Sequence, residues 1–315
     1  MSIVDFGIYL RREKTYPKML ELAQKAEELG FHSAFLNDHV LGLSNAETEE
    51  YLESWTVMTG IGVKTSKLRV GQSVLFNSLR NPAFLAKSIA TLDQMTNGRY
   101  ELMIGAGWNE REYFGYDLME EGRGMPEVDE RVRRLGESVK ILNLMLNEPK
   151  IDFNGDFWKL KEAVNLPQPI QKPMRISIGC KGERLMGITA RNATGINLSG
   201  RNTDANKELI ERFENVCSKN GKSLSDFYIS GFTGLQIASS EDSASEIQKK
   251  YAETAKMSFE DAKRTSYIGT VDDLIEKISI TRDLGFHMMI FSISGDTRIE
   301  DPVTLFHDTI MNEFK

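Results

Sequence analysis

The sequence predicts an α/β fold, a (β/α)8 TIM barrel, on three observations. Strand-like and helix-like stretches alternate almost throughout the 315 residues. The strand-like ones number eight. The run Leu29-Gly30-Phe31-His32 returns as Leu284-Gly285-Phe286-His287, each time where a helix closes and an apolar strand opens. Such an echo is expected when one helix–strand unit repeats around a ring. An open doubly wound sheet is the competing architecture, but no Gly-x-Gly-x-x-Gly turn follows the first strand. Residues 1–315 are expected to form a single barrel domain, with insertions at its C-terminal face at 109–126 and 241–267.

Residues 3–10 are rich in apolar side chains and read as the first strand. Pro17 suits the first turn of a helix, where its missing N–H costs nothing. Leu22, Ala26 and Leu29 share one face of that helix, and Gly30 ends it. Residues 32–37 form a second strand that runs into Asp38-His39. A helix near 51–64 precedes the third strand, 68–75. Pro82 opens a helix carrying Leu85, Ile89 and Leu92. The fourth strand, 99–104, then breaks into Gly105-Ala106-Gly107. A helix covers 128–146, and residues 151–158 read as a hairpin turning at Asn154-Gly155. The fifth strand, 175–178, ends in Gly179-Cys180-Lys181-Gly182. A helix over 183–191 and a sixth strand over 195–198 follow. Asp204 is the expected cap of the next helix, which ends near Gly221. The seventh strand is 228–238, and 241–259 is a polar helix. Thr270 caps a helix running through Leu284, the eighth strand is 287–293, and a last helix starts at Pro302.

A net charge of -7 argues against nucleic acid as a partner, because phosphate binding needs a basic surface. No apolar run approaches the roughly 20 residues of a membrane span. The opening segment reads as a strand rather than a signal peptide. Cys180 and Cys217 make neither a disulfide framework nor a metal-site spacing. The expectation is a soluble, cytoplasmic protein with no metal.

In a barrel of this kind, chemistry belongs at the C-terminal ends of the strands and stability at the N-terminal ends. That rule sorts the four histidines. His32 and His287 begin strands and should cap the bottom face. His307 lies in the last helix and should be solvated. Only His39 follows a strand end, where it is either a proton carrier or a loop histidine bonded to Asp38. The same rule selects Asp38, Ser73, Val74, Gly105, Ala106, Gly107, Gly179, Cys180, Lys181, Gly182 and Ser199. Gly105-Ala106-Gly107 would let a flat ligand press on the main chain, unless it is only a tight turn. Residues 179–182 lead into a helix, so their amides and the helix dipole suit an anion such as a phosphate, and Lys181 would add charge. The alternative is an ordinary glycine turn. Arg201 could hold an acidic substrate group or form a surface ion pair. Glu110 and Glu112 could do acid–base work, but as loop glutamates they are expected to be exposed. No metal cluster and no Gly-x-Ser-x-Gly nucleophile turn stands out.

The run from Asn81-Pro82-Ala83-Phe84-Leu85-Ala86-Lys87 through Thr91-Leu92-Asp93-Gln94-Met95-Thr96-Asn97-Gly98-Arg99 to Gly105-Ala106-Gly107-Trp108-Asn109-Glu110-Arg111-Glu112-Tyr113 resembles the luciferase-like monooxygenase superfamily. The likeness is greatest to its branch of coenzyme F420 (deazaflavin)-dependent oxidoreductases. Asp38-His39, the Asn154-Gly155 hairpin, Leu166-Pro167-Gln168-Pro169 and Ile268-Gly269-Thr270 extend it along nearly the whole chain. The resemblance implies a bacterial-luciferase-like barrel with a flavin-type ring over the C-terminal strand ends, beside Asp38 and His39. It implies a non-proline cis peptide at Ser73-Val74 supporting the ring. Gly105, Ala106 and Gly107 would line the ring or its side chain, and the amides of Gly179 and Cys180 would meet the cofactor phosphate. Two departures stand out. Cys180-Lys181 replaces a run of glycines, and Trp108 stands where the sugar-phosphate dehydrogenases carry a glutamate. Sugar-phosphate oxidation is therefore not expected.

The function expected from this likeness is hydride transfer between coenzyme F420 and a small organic substrate, with His39 as proton donor or acceptor. Trp108, Glu110 and Arg201 are the candidates for contact with that substrate. An FMN-dependent monooxygenase, which would need a separate flavin reductase, is the alternative. A non-catalytic flavin-binding protein is a second one. The resemblance also implies a homodimer.

Overall fold

The computed structural model describes residues 4–10, 15–43, 45 and 47–314. Among them, eight parallel strands close into a ring. In chain order they are β1 (Asp5–Tyr9), β2 (Ser33–Leu36), β3 (Arg69–Gln72), β4 (Tyr100–Gly105), β5 (Ile176–Gly179), β6 (Gly195–Leu198), β7 (Tyr228–Ile237) and β8 (Met288–Gly295). Each pairs with the next, and β8 returns to β1, with Phe6 opposite Met289. The helices are α1 (Tyr16–Glu28), α2 (Ser54–Lys64), α3 (Pro82–Met95), α4 (Glu110–Gly115), α5 (Val128–Asn147), α6 (Glu183–Asn192), α7 (Thr203–Lys219), α8 (Glu241–Ala255), α9 (Phe259–Thr265), α10 (Val271–Asp283) and α11 (Pro302–Leu305).

Strand alternation divides the core in two. In β8, Met288 and Ile290 join Phe35 and Met103 in a cluster inside the ring, with Tyr9, Val74, Tyr228 and Phe232 packed on it. Met289 and Phe291 face the other way, into the larger cluster between strands and helices. Burial on both faces explains why the strands are near-continuous apolar runs.

The bottom of the ring is closed by charge rather than by carbon. Glu101, at the start of β4, is buried and accepts from both Arg69 and Arg175, the latter at 2.7 Å. Burial works to raise its pKa, but Arg175 and Arg69 outweigh it and hold the carboxyl below its ordinary value. The Arg175 guanidinium lies 3.6 Å from the Tyr228 ring centroid. His287 stacks on Tyr228 with ring centroids 5.0 Å apart. Tyr228 Oη donates to Asp5 Oδ2 at 2.9 Å, and His32 lies 3.5 Å from the same oxygen. His32 and His287 thus sit at the strand starts, as the sequence predicted.

Several local expectations are corrected. The buried face of α1 is Met19, Ala23 and Ala26, with Leu22 and Leu29 only half-covered. The third strand stops at Gln72, and Leu75–Phe76 pairs separately with β4. The cap of α7 is Asn202, whose side chain accepts from the Ala205 amide. Asp204 instead pairs with Arg264 at 2.8 Å. Residues 241–259 are not one helix, because Lys256 turns left-handed at φ 55° and Ser258 caps a new helix, α9. The hairpin is longer than expected, pairing Lys150–Asn154 with Lys159–Val164. His307 lies in a wide turn at Phe306–Ile310, its Nδ1 2.7 Å from Asp308.

Burial holds His32 and His287 below the ordinary histidine value of 6.5. For His32, Asp5 and Glu101 oppose that shift without cancelling it. The unfolded chain therefore binds more protons than the folded one as pH falls below 6.5. The stability contributed is complete above that value and is lost as pH drops through the lower folded values. Urea denaturation at pH 7.5 and 5.5 should show lower stability at 5.5, and the loss should be smaller in His32→Gln. An equal loss in both proteins would remove His32 from the effect.

Candidate active site

The segment leaving β2 carries Asn37, Asp38 and His39, and two buried carboxylates hold it in place. Asp38 is 1% exposed. Its Oδ1 accepts from Ser54 Oγ at 2.7 Å and Arg80 Nη2 at 3.1 Å. Its Oδ2 accepts from the Phe76 amide at 2.9 Å and Arg80 Nη1 at 2.5 Å. Both oxygens are engaged within the protein, so the Asp38 carboxylate acts as a clamp tying the β2 end to α2 and to the segment after β3. Arg80 is held above its ordinary value: burial opposes this, and Asp38 and then Glu53 outweigh it.

The second carboxylate is Glu112, and here the sequence-based expectation fails. Glu112 is not an exposed loop glutamate; it is 0% exposed. Residues 109–115 form a capped helical turn, in which the Asn109 side chain accepts from the Arg111 amide. Glu112 falls on its inner side, and Glu110 on its outer, exposed side. Glu112 Oε2 lies 2.8 Å from His39 Nδ1, and Oε1 accepts from the Val40 amide at 2.7 Å. His39 is therefore bonded to Glu112 rather than to Asp38. The spacing from Asn109 to Glu112 is that of a helix cap and its third residue, and it was the available signal.

The glycines line the floor of a cleft, and the protein's own packing requires them. A Cβ on Gly105 would come within 2.8 Å of the Val74 side chain, and one on Gly179 within 2.8 Å of the same side chain. A Cβ on Gly107, which has φ +79°, would lie 1.8 Å from the Phe76 ring. These glycines make room for Val74 and Phe76 and line the inner face of the cleft. Val74 is clasped between β4 and β5, half-buried, with the cleft beside it. The Ser73–Val74 peptide is cis.

The turn after β5 is also only partly as expected. The Cys180 amide donates to the Asn197 carbonyl at 3.1 Å, so it belongs to the barrel ladder. Burial pushes the Cys180 thiol up to about 12, so it is inert as a nucleophile. The cap of α6 is Gly182, which has no side chain to accept from the first turn. The first amides of α6 therefore lack an intrahelical partner, and Leu185 of that turn lines the cleft.

The cleft has two joined lobes at the C-terminal mouth. The inner one, about 400 Å³, brings together Asp38, His39, Ser73, Val74, Gly105, Ala106, Gly107, Trp108, Gly179, Cys180, Lys181 and Ser199. The outer one, about 920 Å³, shares His39, Ser73, Trp108, Lys181 and Ser199 and adds Arg201. Glu110 and Gly182 line neither lobe. Trp108 is 62% exposed at the rim, its ring edge-on to His39 at 5.4 Å. Phe232, Tyr251 and Tyr267 also line the outer lobe, which sequence reasoning did not single out. They come from β7 and the α8–α9 insertion, whose packing carries no local motif. Among the described residues no cluster of three or more His, Cys, Asp or Glu could hold a metal ion, and no helix is long and apolar enough to cross a membrane.

Comparison with known proteins agrees with the barrel fold. The profile of a family described as luciferase-like monooxygenase matches residues 4–287. An F420-dependent glucose-6-phosphate dehydrogenase of Microbacterium testaceum (strain StLB037) is 28% identical over 319 residues, covering 92% of this chain and 91% of its own. An FMNH(2)-dependent dimethylsulfone monooxygenase of Pseudomonas putida is 25% identical over 317 residues, covering 91% of this chain and 84% of its own. Among solved structures, an F420-dependent secondary alcohol dehydrogenase in complex with an F420-acetone adduct aligns at a TM-score of 0.79 and 20% identity, over 100% of this chain and 98% of that one. At that identity it shows the shared fold.

Removing one partner of a buried ion pair costs about 3 kcal/mol or more. Asp38→Ala should therefore lower the unfolding free energy by about that amount, and Glu112→Ala by about 2 kcal/mol, the scale of a buried hydrogen bond to a charged group. Urea titrations of the two variants check both values. A loss of cofactor binding at unchanged stability would instead return Asp38 to the ligand.

Proposed function

This chain belongs to the luciferase-like monooxygenase family, and from that premise we propose that it is a coenzyme F420-dependent oxidoreductase acting on a small organic substrate as a single barrel domain. The observation that carries the proposal is the inner lobe. It has an apolar floor at Val74, a histidine held by a buried carboxylate on one side, and an uncapped helix start on the other. Its volume of about 400 Å³ suits part of a cofactor-sized ligand. The unpartnered amides at the start of α6, with Lys181, fit a phosphate. The names of the dehydrogenase relatives support the same cofactor.

When bound, the deazaflavin would supply two-electron hydride transfer, since it lacks the ring nitrogen used in oxygen chemistry. The protein supplies position and a proton. Val74 would lie against the ring of a bound cofactor. Glu112 accepts at His39 Nδ1, which leaves Nε2 as the nitrogen able to give or take a proton at the substrate. Trp108 packs edge-on beside His39 at the rim of the cleft. In this proposal Trp108, in place of a second carboxylate, leaves His39 as the acid–base group and sets the chain apart from sugar-phosphate oxidation.

An FMN-dependent monooxygenase served by a separate flavin reductase is the second reading, supported by the dimethylsulfone monooxygenase relative. A homodimer is part of the proposal in either case, and light scattering tests it.

Titration of the apoprotein with coenzyme F420 and, separately, with FMN, followed by Trp108 quenching, decides between them. Micromolar deazaflavin binding with weak FMN binding is expected; the reverse selects the second reading, and binding of neither overturns both. His39→Ala should reduce turnover by about 10²–10⁴-fold, the usual worth of a general acid or base, at unchanged F420 affinity. Unchanged turnover would remove His39 from the chemistry.

A further inference from the structure

Another cavity, about 400 Å³ in volume, shares no lining residue with either lobe of the cleft. Its walls come from segments far apart in the sequence. Residues 77–81 lead into α3, residues 118–120 and Arg123 belong to the excursion after α4, and Phe157 and Trp158 come from the tip of the hairpin. Arg134 of α5 lies over the Phe157 ring, 4.4 Å from its centroid. Two of these walls are held by bonds of their own. Glu137 accepts from the amides of Asp156, Phe157 and Trp158 at 2.7, 3.0 and 3.3 Å, which fixes the hairpin tip. Asn81 caps α3, its Oδ1 accepting from the Ala83 and Phe84 amides.

These walls present hydrogen-bond donors. The Trp158 indole N–H is buried and has no acceptor among the described residues. An indole nitrogen can only donate. Asn77 is 4% exposed, and its side-chain amide forms no hydrogen bond with any described residue. The Asn81 oxygen is used by the cap, so its amino group is the edge left for the cavity. Guanidiniums from Arg80, Arg123 and Arg134 complete the set. Arg80 is matched by Asp38 and Glu53, but Arg123 and Arg134 share one carboxylate, Glu130. Glu120 is the one acid among the described lining residues, and it is exposed, where water screens its charge. A buried donor without an acceptor is costly. An oxyanion supplies several acceptor lone pairs, together with the negative charge that two guanidiniums on one carboxylate leave unmet.

We propose that this cavity is a second ligand site, separate from the cleft, and that it takes a small organic oxyanion, a carboxylate or phosphate ester. The Trp158 N–H and the Asn77 amide bind its oxygens, and Arg123 and Arg134 meet its charge. The site does not depend on which cofactor the cleft takes. It nevertheless lies one contact from the cleft. Arg80, in its wall, is the partner of Asp38, and the Ser78 hydroxyl lies 3.0 Å from Tyr113 Oη, the residue after Glu112.

The test follows the indole N–H resonances of protein carrying isotope-labelled tryptophan, titrated with inorganic phosphate and, separately, with citrate. The chain has three tryptophans, and Trp158→Phe identifies the Trp158 signal. That signal should shift and saturate with at least one probe; a response to phosphate alone selects a phosphate ester, and to citrate alone a carboxylate. Asn77→Leu removes no existing hydrogen bond and should weaken binding about tenfold, the worth of one hydrogen bond to a charged group. Unmoved Trp55 and Trp108 signals in that variant show that it is folded. Arg123→Gln, at an exposed position, should also weaken binding, and it carries the test if Asn77→Leu does not fold. A Trp158 signal that neither probe moves overturns the proposal. So does equal binding by the wild-type protein and the folded variants, or movement of the Trp108 signal alone, which would give the anion to the cleft.

Discussion

A carboxylate removed from water has to find its partners inside the protein. Two such carboxylates, Asp38 and Glu112, hold the segment after β2 from opposite sides. Asp38 ties it to α2 and to the backbone after Val74 through Ser54, Arg80 and the Phe76 amide. Glu112 ties it to the turn after β4 through His39 and the Val40 amide. Neither contact is local in sequence, and together they fix one imidazole edge at the mouth of the barrel. The imidazole is thereby set before any ligand arrives, which is the form of preorganisation that the proposed acid–base role needs.

The floor of the site follows from the same packing. Val74 occupies the space that side chains at positions 105 and 179 would need, and Phe76 occupies the space above position 107. The glycine-rich strand ends are therefore a requirement of the protein's own interior. Val74 lines the inner lobe together with those glycines. Charge is then distributed outward along the cleft: paired carboxylates beneath His39, an uncapped helix start beside Leu185, and unpaired cations in the outer lobe.

Much of the barrel was legible in the sequence because its signals are local. Gly30 and Gly285 end helices, Pro82 and Thr270 start them, and Gly195–Leu198 is bounded as the apolar run suggests. The strand-end rule brought His39, Val74, Lys181 and Ser199 to one cleft. What failed was set by tertiary partners. Glu112 looks like a surface glutamate until the turn at 109–115 closes over His39. Nothing in the sequence near Asp38 signals that Arg80 pairs with it. Asp204 lost the cap to Asn202 and pairs with Arg264, a residue 60 positions away.

A crystal structure of the chain grown with coenzyme F420 tests the site most directly. The deazaflavin ring should lie against Val74 in the inner lobe, with His39 still bonded to Glu112 at its edge and the cofactor phosphate at the first turn of α6. Ring density elsewhere, or His39 turned away from Glu112 with the cofactor in place, would contradict this reading of the cleft.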